Sequence, residues 1–92
     1  MITIYTSEEI EKIAAAGKLT ADTLSMLEKA VRPGISTLEL DEMAEKFIRS
    51  RGGIPSCKGY EGFPGSICAS VNDTVVHGIP SARKILKKGD II

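Results

Sequence analysis

Apolar and polar positions recur with two different rhythms along this chain, and the rhythm changes near residue 53. Before that point it is helical. Ile10, Ile13, Gly17, Leu24, Leu27 and Val31 stand three, four and seven apart, which lays one stripe along a helix. Thr6-Ser7-Glu8-Glu9 opens that helix with a capping box, Thr6 covering free amides and Glu9 answering from the third helical position. Ala14 to Ala16 favour helix locally, whereas Gly17 costs about 1 kcal/mol against alanine. Gly17 has two readings of equal standing, a close-passing backbone or a tolerated weak spot. Arg32-Pro33-Gly34 ends the helix.

Ser36-Thr37-Leu38-Glu39 predicts a second capping box and a second helix. Leu40, Met43, Ala44, Phe47 and Ile48 make its apolar face, while Glu39, Asp41, Glu42, Glu45 and Lys46 are assigned mostly to water. Arg49 and Arg51 suit the negative end of the helix dipole, and Gly52-Gly53 closes it. Two antiparallel helices joined by a short loop are predicted, with their charged faces solvated.

From Ile54 the character changes. Ile54 to Gly65 is dense in Gly and Pro yet carries Cys57, Tyr60 and Phe63, so it reads as an irregular loop with ordered side chains rather than a linker. Ser66 to Val71 and Thr74 to Val76 have strand character and flank Asn72-Asp73, which predicts a β-hairpin. The only histidine, His77, falls near the end of its second strand, before Gly78-Ile79-Pro80. Ser81 to Lys88 is a polar connection anchored by Ile85 and Leu86, Lys87 to Asp90 a turn, and Ile91-Ile92 the start of another strand. Domains seldom stop inside an apolar strand, so residues 1–92 are expected to be the front part of something longer. The fold class is α+β: two helices, a hairpin and the beginning of a further strand.

Size and charge narrow the function. Ninety-two residues allow one small domain with a thin core. Twelve basic residues balance twelve acidic ones, which argues against a nucleic-acid binder that works through a basic field. No apolar run is long enough to span a membrane. Met1 to Tyr5 has neither a basic n-region nor an apolar h-region, so no signal peptide is read and cytoplasm is expected. Cys57 and Cys68 stand eleven apart without a CxxC pair and are expected to be free thiols.

The candidate chemistry is sparse. One histidine, two separated cysteines and scattered carboxylates give no metal-ligand pattern. Nothing sets either thiol against His77, and small buried hydrophobes is the favoured reading of both cysteines. No glycine spacing for cradling phosphate is present. For His77 a structural imidazole satisfied by backbone is favoured, while its place beside an aromatic-bearing loop keeps a functional role open. Cys57, Tyr60, Phe63 and Cys68 would line a small apolar pocket with His77 at its rim, suited to a compact apolar side chain.

Together these residues carry a resemblance. Ile10-Glu11-Lys12-Ile13, Val31-Arg32-Pro33-Gly34-Ile35-Ser36-Thr37, Gly59-Tyr60-Glu61-Gly62-Phe63-Pro64, Ser70-Val71-Asn72-Asp73 and Val76-His77-Gly78-Ile79-Pro80 appear in this order. So do Ala16-Gly17, Glu39-Leu40-Asp41, Leu86 and Gly89-Asp90-Ile91-Ile92. The chain resembles the N-terminal third of the type I methionine aminopeptidases. Pro-Gly-Ile-Ser-Thr is a weak signal; Asn-Asp-x-Val-Val-His-Gly-Ile-Pro after Gly-Tyr-x-Gly-Phe-Pro is specific.

The resemblance implies part of a pita-bread fold, with residues 1–92 as the front of one catalytic domain. It implies removal of the initiator methionine from nascent proteins by a water activated by two divalent metal ions (Co, Mn, Fe, Zn or Ni). His77 then contacts the scissile amide region and helps stabilise the transition state. Cys57, Tyr60, Phe63 and Cys68 match the wall of the methionine side-chain pocket, Tyr60 foremost. Phe63 stands where some members carry tyrosine, so a hydroxyl contact is missing. The carbonyls of Asn72 and Thr74 match positions that hold a monovalent cation in some members, in a site that needs a further residue absent here. The family's five metal ligands (two Asp, a His and two Glu) all fall beyond Ile92, and Asp90 belongs to a turn. The chain thus keeps the substrate side and is expected to be inert and poorly soluble alone. The implied partners are the N-terminal methionine of nascent chains and the ribosome, with no membrane or nucleic-acid specificity and a monomeric full-length protein. Two alternatives stand: a non-catalytic peptide- or ribosome-binding pita-bread module, and an aminopeptidase P or prolidase relative. The Gly-Tyr-Glu-Gly-Phe-Pro loop and the short N-terminus weigh against the last.

Overall fold

A computed structural model describes all residues, Met1–Ile92. Two helices, α1 (Ser7–Ala30) and α2 (Thr37–Ser50), precede a single 3₁₀ turn at Tyr60–Gly62. The first capping box forms as predicted. Thr6 Oγ1 accepts from the Glu9 amide at 3.2 Å, and Glu9 Oε1 accepts from the Thr6 amide at 2.8 Å. The backbone bond from Thr6, followed by its hydroxyl bond, lowers the Glu9 pKa from its ordinary value. In α2 only half of the expected box is present: Ser36 Oγ accepts from the Glu39 amide at 3.1 Å. The other end closes through Gly52, at φ +81°. Its amide donates to the Arg49 carbonyl, and the Gly53 amide reaches back to Ile48. That double bond is a Schellman motif, which needs a left-handed residue at Gly52.

The helices run antiparallel. Arg51, past the end of α2, lies 4.0 Å from Asp22 of α1. Met26 and Ala30, further along α1, border the same groove as Met43 and Phe47, further back along α2. The core gathers at this end. Leu27, Ile35, Leu40, Ala44, Val71 and Leu86 form one buried cluster. It draws on both helices, the loop between them and two later segments. Only 16 of the 92 residues are buried, which makes the core as thin as chain length predicts.

The long stripe of α1 is mostly uncovered. Thr23 and Leu27 are its buried residues, whereas Ile10, Ile13, Leu24 and Val31 are exposed. A helical period marks one face of α1, but only its second half meets another element. Nothing lies within 4 Å of a side chain added at Gly17, so no backbone passes there. Gly53 is the crowded glycine instead: a Cβ there would stand 2.5 Å from Leu19 Cδ2 and 3.0 Å from Ile48 Cγ2.

The predicted hairpin does not form, and neither does the strand at Ile91-Ile92. The only sheet-type pairing is an isolated antiparallel bridge between Ser36 and Ile85. The two arms do approach, since Ala69 N–H donates to the Gly78 carbonyl at 2.8 Å. The answering Gly78 amide is taken by Ser70 Oγ at 3.0 Å, so no ladder develops. Asn72, at φ +52°, and His77, at φ +55°, turn the backbone out of the extended path at both ends of the second arm. Asn72 bonds to Ile91 rather than across a hairpin, giving its amide to the Ile91 carbonyl at 2.9 Å. The Lys87–Asp90 turn is present, with Asp90 Oδ2 accepting from the Lys87 amide and Gly89 at φ +91°. Leu86 is the buried anchor of residues 81–88, while Ile85 points outward.

Candidate functional site

The aromatic-bearing loop is built on its own short bonds. Tyr60 N–H donates to the Cys57 carbonyl, Phe63 N–H to Tyr60, and Gly59 N–H to Phe63 at 2.7 Å. Glu61 takes φ +49° inside this turn. Cys57, Tyr60 and Phe63 therefore share one tightly wound loop. Tyr60 is 68% exposed and Phe63 half-buried. Cys57 and Cys68 are free and exposed, which corrects their reading as buried hydrophobes.

The segments that carry Cys68 and His77 approach each other, through Ala69 and Ser70 on one side and Gly78 on the other. The Ala69–Gly78 bond sets Cys68-Ala69 beside His77-Gly78. The approach is so close that a Cβ on Gly78 would overlap the Ala69 carbonyl and lie 2.8 Å from Ser70 Cα. Only glycine permits it. His77 is exposed, and its left-handed backbone carries the imidazole outward. Glu61, Asn72 and His77 are the three non-glycine residues at positive φ. All lie in the candidate site loops, where a left-handed residue costs about 1–2 kcal/mol unless its surroundings hold it.

A groove of about 820 Å³ lies between α1, the end of α2 and residues 52–57. Cys57 lines it together with Leu19, Ile48 and Ile54, but Tyr60, Phe63, Cys68 and His77 do not. Asn72 serves as a junction: its Nδ2 donates to Asp90 at 3.0 Å and its Oδ1 accepts from Ile91 N–H at 3.0 Å. The Asn72 bond, followed by the Lys87 amide, lowers the Asp90 pKa from its ordinary value. The Asn72 and Thr74 carbonyls accept no backbone hydrogen bond.

Two acids read as solvent-facing prove to be structural. Asp41 is buried, and its Oδ1 accepts from the amides of Ser66 at 2.7 Å and Ile67 at 2.9 Å. Glu45 accepts from Lys58 Nζ at 2.5 Å, Ser66 Oγ at 2.9 Å and Arg49 Nε at 3.0 Å. The Lys58 bond, then those of Arg49 and Ser66, hold its pKa down to about 2. The signal was in the spacing. Thr37, Leu40, Asp41 and Ala44 form an i, i+3, i+4, i+7 stripe and are the four buried residues of α2.

No three His, Cys, Asp or Glu side chains stand together. No helix is long and apolar enough to cross a membrane.

The profile of metallopeptidase family M24 matches residues 11–92, and the chain belongs to that family. Within it, the similar proteins are methionine aminopeptidases. That of Clostridium acetobutylicum is 54% identical over 92 residues, covering all of this chain and 37% of its own length. That of Escherichia coli is 47% identical, covering 99% and 35%. Among solved structures, the methionine aminopeptidase of Rickettsia prowazekii superposes with a TM-score of 0.93 at 46% identity, over 98% of this chain and 36% of that one. The Thermotoga maritima enzyme gives 0.96 at 38% identity, over 99% and 36%. The chain thus spans just over a third of the length of these relatives.

Proposed function

We propose that residues 1–92 are the substrate-side portion of a type I methionine aminopeptidase, which removes the N-terminal methionine of nascent proteins. The observation that carries this reading is the whole-length likeness to methionine aminopeptidases, in sequence and in shape. In the complete enzyme two divalent metal ions would activate the attacking water. Their ligands would lie in the two-thirds to which this chain does not correspond. This chain's contribution is recognition and charge stabilisation. Tyr60, Phe63, Cys57 and Cys68 would contact the thioether side chain. His77 would meet the scissile amide, where an imidazole can donate a hydrogen bond near neutral pH. The exposed Ile10, Ile13, Val75 and Val76 would be covered by the remainder of the enzyme. The carbonyls of Asn72 and Thr74 would face a monovalent cation.

The test uses two proteins. One is the 92-residue chain. The other is a chimera in which the chain replaces its aligned segment of the Clostridium acetobutylicum enzyme. With cobalt or manganese, the chimera is expected to release methionine from a Met-Ala peptide and the lone chain to release none. An inactive but folded chimera would overturn the enzyme reading in favour of a binding module. Turnover by the lone chain above a His77→Ala control would overturn its inertness.

A further inference from the structure

Resting on the reading above, we infer that Asp41 and Glu45 are positioning residues that set the methionine-recognition loop. They stand four apart on α2, so both carboxylates face the same neighbour. That neighbour is the loop, and it is gripped at both ends. Glu45 holds Lys58 at the start, and the same Oε1 accepts from Ser66 Oγ at the finish. Asp41 adds the amides of Ser66 and Ile67. Residues 58–66 are thereby closed into a ring on the helix, with Tyr60 and Phe63 inside it. Cys57 and Cys68 flank the two anchor points.

The seat at the finish is tight. A Cβ on Gly65 would stand 2.9 Å from Pro80 Cδ and 3.1 Å from Asp41 Oδ1. The loop end is thus wedged between the acid and the segment that follows His77. The anchors differ in kind. Asp41 is buried and binds only backbone, so it fixes the chain path. Glu45 is partly exposed, binds side chains, and sets the loop's tension through Lys58. Their expected effect is on how well methionine is held, and much less on the chemical step.

The test combines amide exchange and kinetics, both on the chimera. Glu45→Ala is expected to speed exchange in residues 58–67 about tenfold while leaving residues 37–44 unchanged. In the chimera it should raise KM for a Met-Ala peptide about tenfold, with kcat changed by less than about threefold. Glu45→Gln, which keeps an acceptor, should restore part of the loss. Asp41→Asn serves as the second variant because it preserves the volume of a buried site; it should raise KM in the same direction. Unprotected Ser66 and Ile67 amides in the parent chimera would overturn the clamp, as would an unchanged KM in Glu45→Ala. Equal losses in KM and kcat, with exchange rising everywhere, would reduce Glu45 to general stability. An inactive parent chimera counts against the methionine aminopeptidase reading, and the clamp is then judged by exchange alone.

Discussion

The two helices of this chain are specified in different ways. α1 has 24 residues and buries two of them; α2 has 14 and buries four. α1 extends about 36 Å at 1.5 Å per residue, and much of that length touches nothing. The radius of gyration is accordingly 14.9 Å, against about 12 Å for a compact domain of this size. The first half of α1 holds its shape by capping and propensity. α2 holds its shape because Thr37 ties it to Ser81, Leu40 and Ala44 enter the core, and its acids grip the loop. Local rules can specify a helix, but only the helix that carries long-range bonds organises a site.

That contrast can be broken by substitution, with stability read from thermal unfolding of the chimera. The largest effect is expected beyond α2, at the crossing it supports. Gly78→Ala should cost about 3 kcal/mol or more, because the new methyl meets backbone that cannot rotate away. Leu40→Ala, which empties a position that is 2% exposed, should cost about 3 kcal/mol. Thr6→Ala removes the cap of α1 and should cost about 1 kcal/mol. A Leu40→Ala cost no greater than that of Thr6→Ala would erase the distinction.

Acid sharpens the comparison on the α2 side. The folded pKa of Glu45 lies near 2, below its ordinary 4.5. Its contribution is therefore present above about pH 4.5 and is lost as pH falls toward 2. Loop exchange should rise through that window, and Glu45→Gln should flatten the rise. At the start of α1, protonation of Glu9, the acid of the capping box, should loosen the first turn.

How much was legible in the sequence follows the same division. Thr6 and Glu9, the end at Gly52-Gly53, and the turn at Asp90 were readable because each device spans a few residues. Asp41 was misassigned to water because residue type was weighed above register, although it falls inside the buried stripe. The hairpin was misread because Ser66–Val71 and Thr74–Val76 satisfy local strand preference, which is weak against tertiary context. The amides of Ser66 and Ile67 instead serve Asp41 and that of Ala69 serves Gly78, partners 9 to 26 residues away, while Thr74 N–H turns back to the Val71 carbonyl. The stripe on α1 has the right period, yet within residues 1–92 nothing covers Ile10 or Ile13. Among the site residues, the shared loop of Cys57, Tyr60 and Phe63 could be anticipated from their proximity in sequence. The approach of the Cys68-bearing segment to the His77-bearing one could not, because it depends on one backbone crossing that only Gly78 allows.

The most direct measurement is the rate of methionine release by the chimera with and without His77. His77→Ala is expected to lower kcat by at least about a hundredfold, while the variant folds and retains the parent's unfolding temperature within a few degrees. A variant that turns over as fast as its parent would contradict the assignment of this segment to the reacting amide.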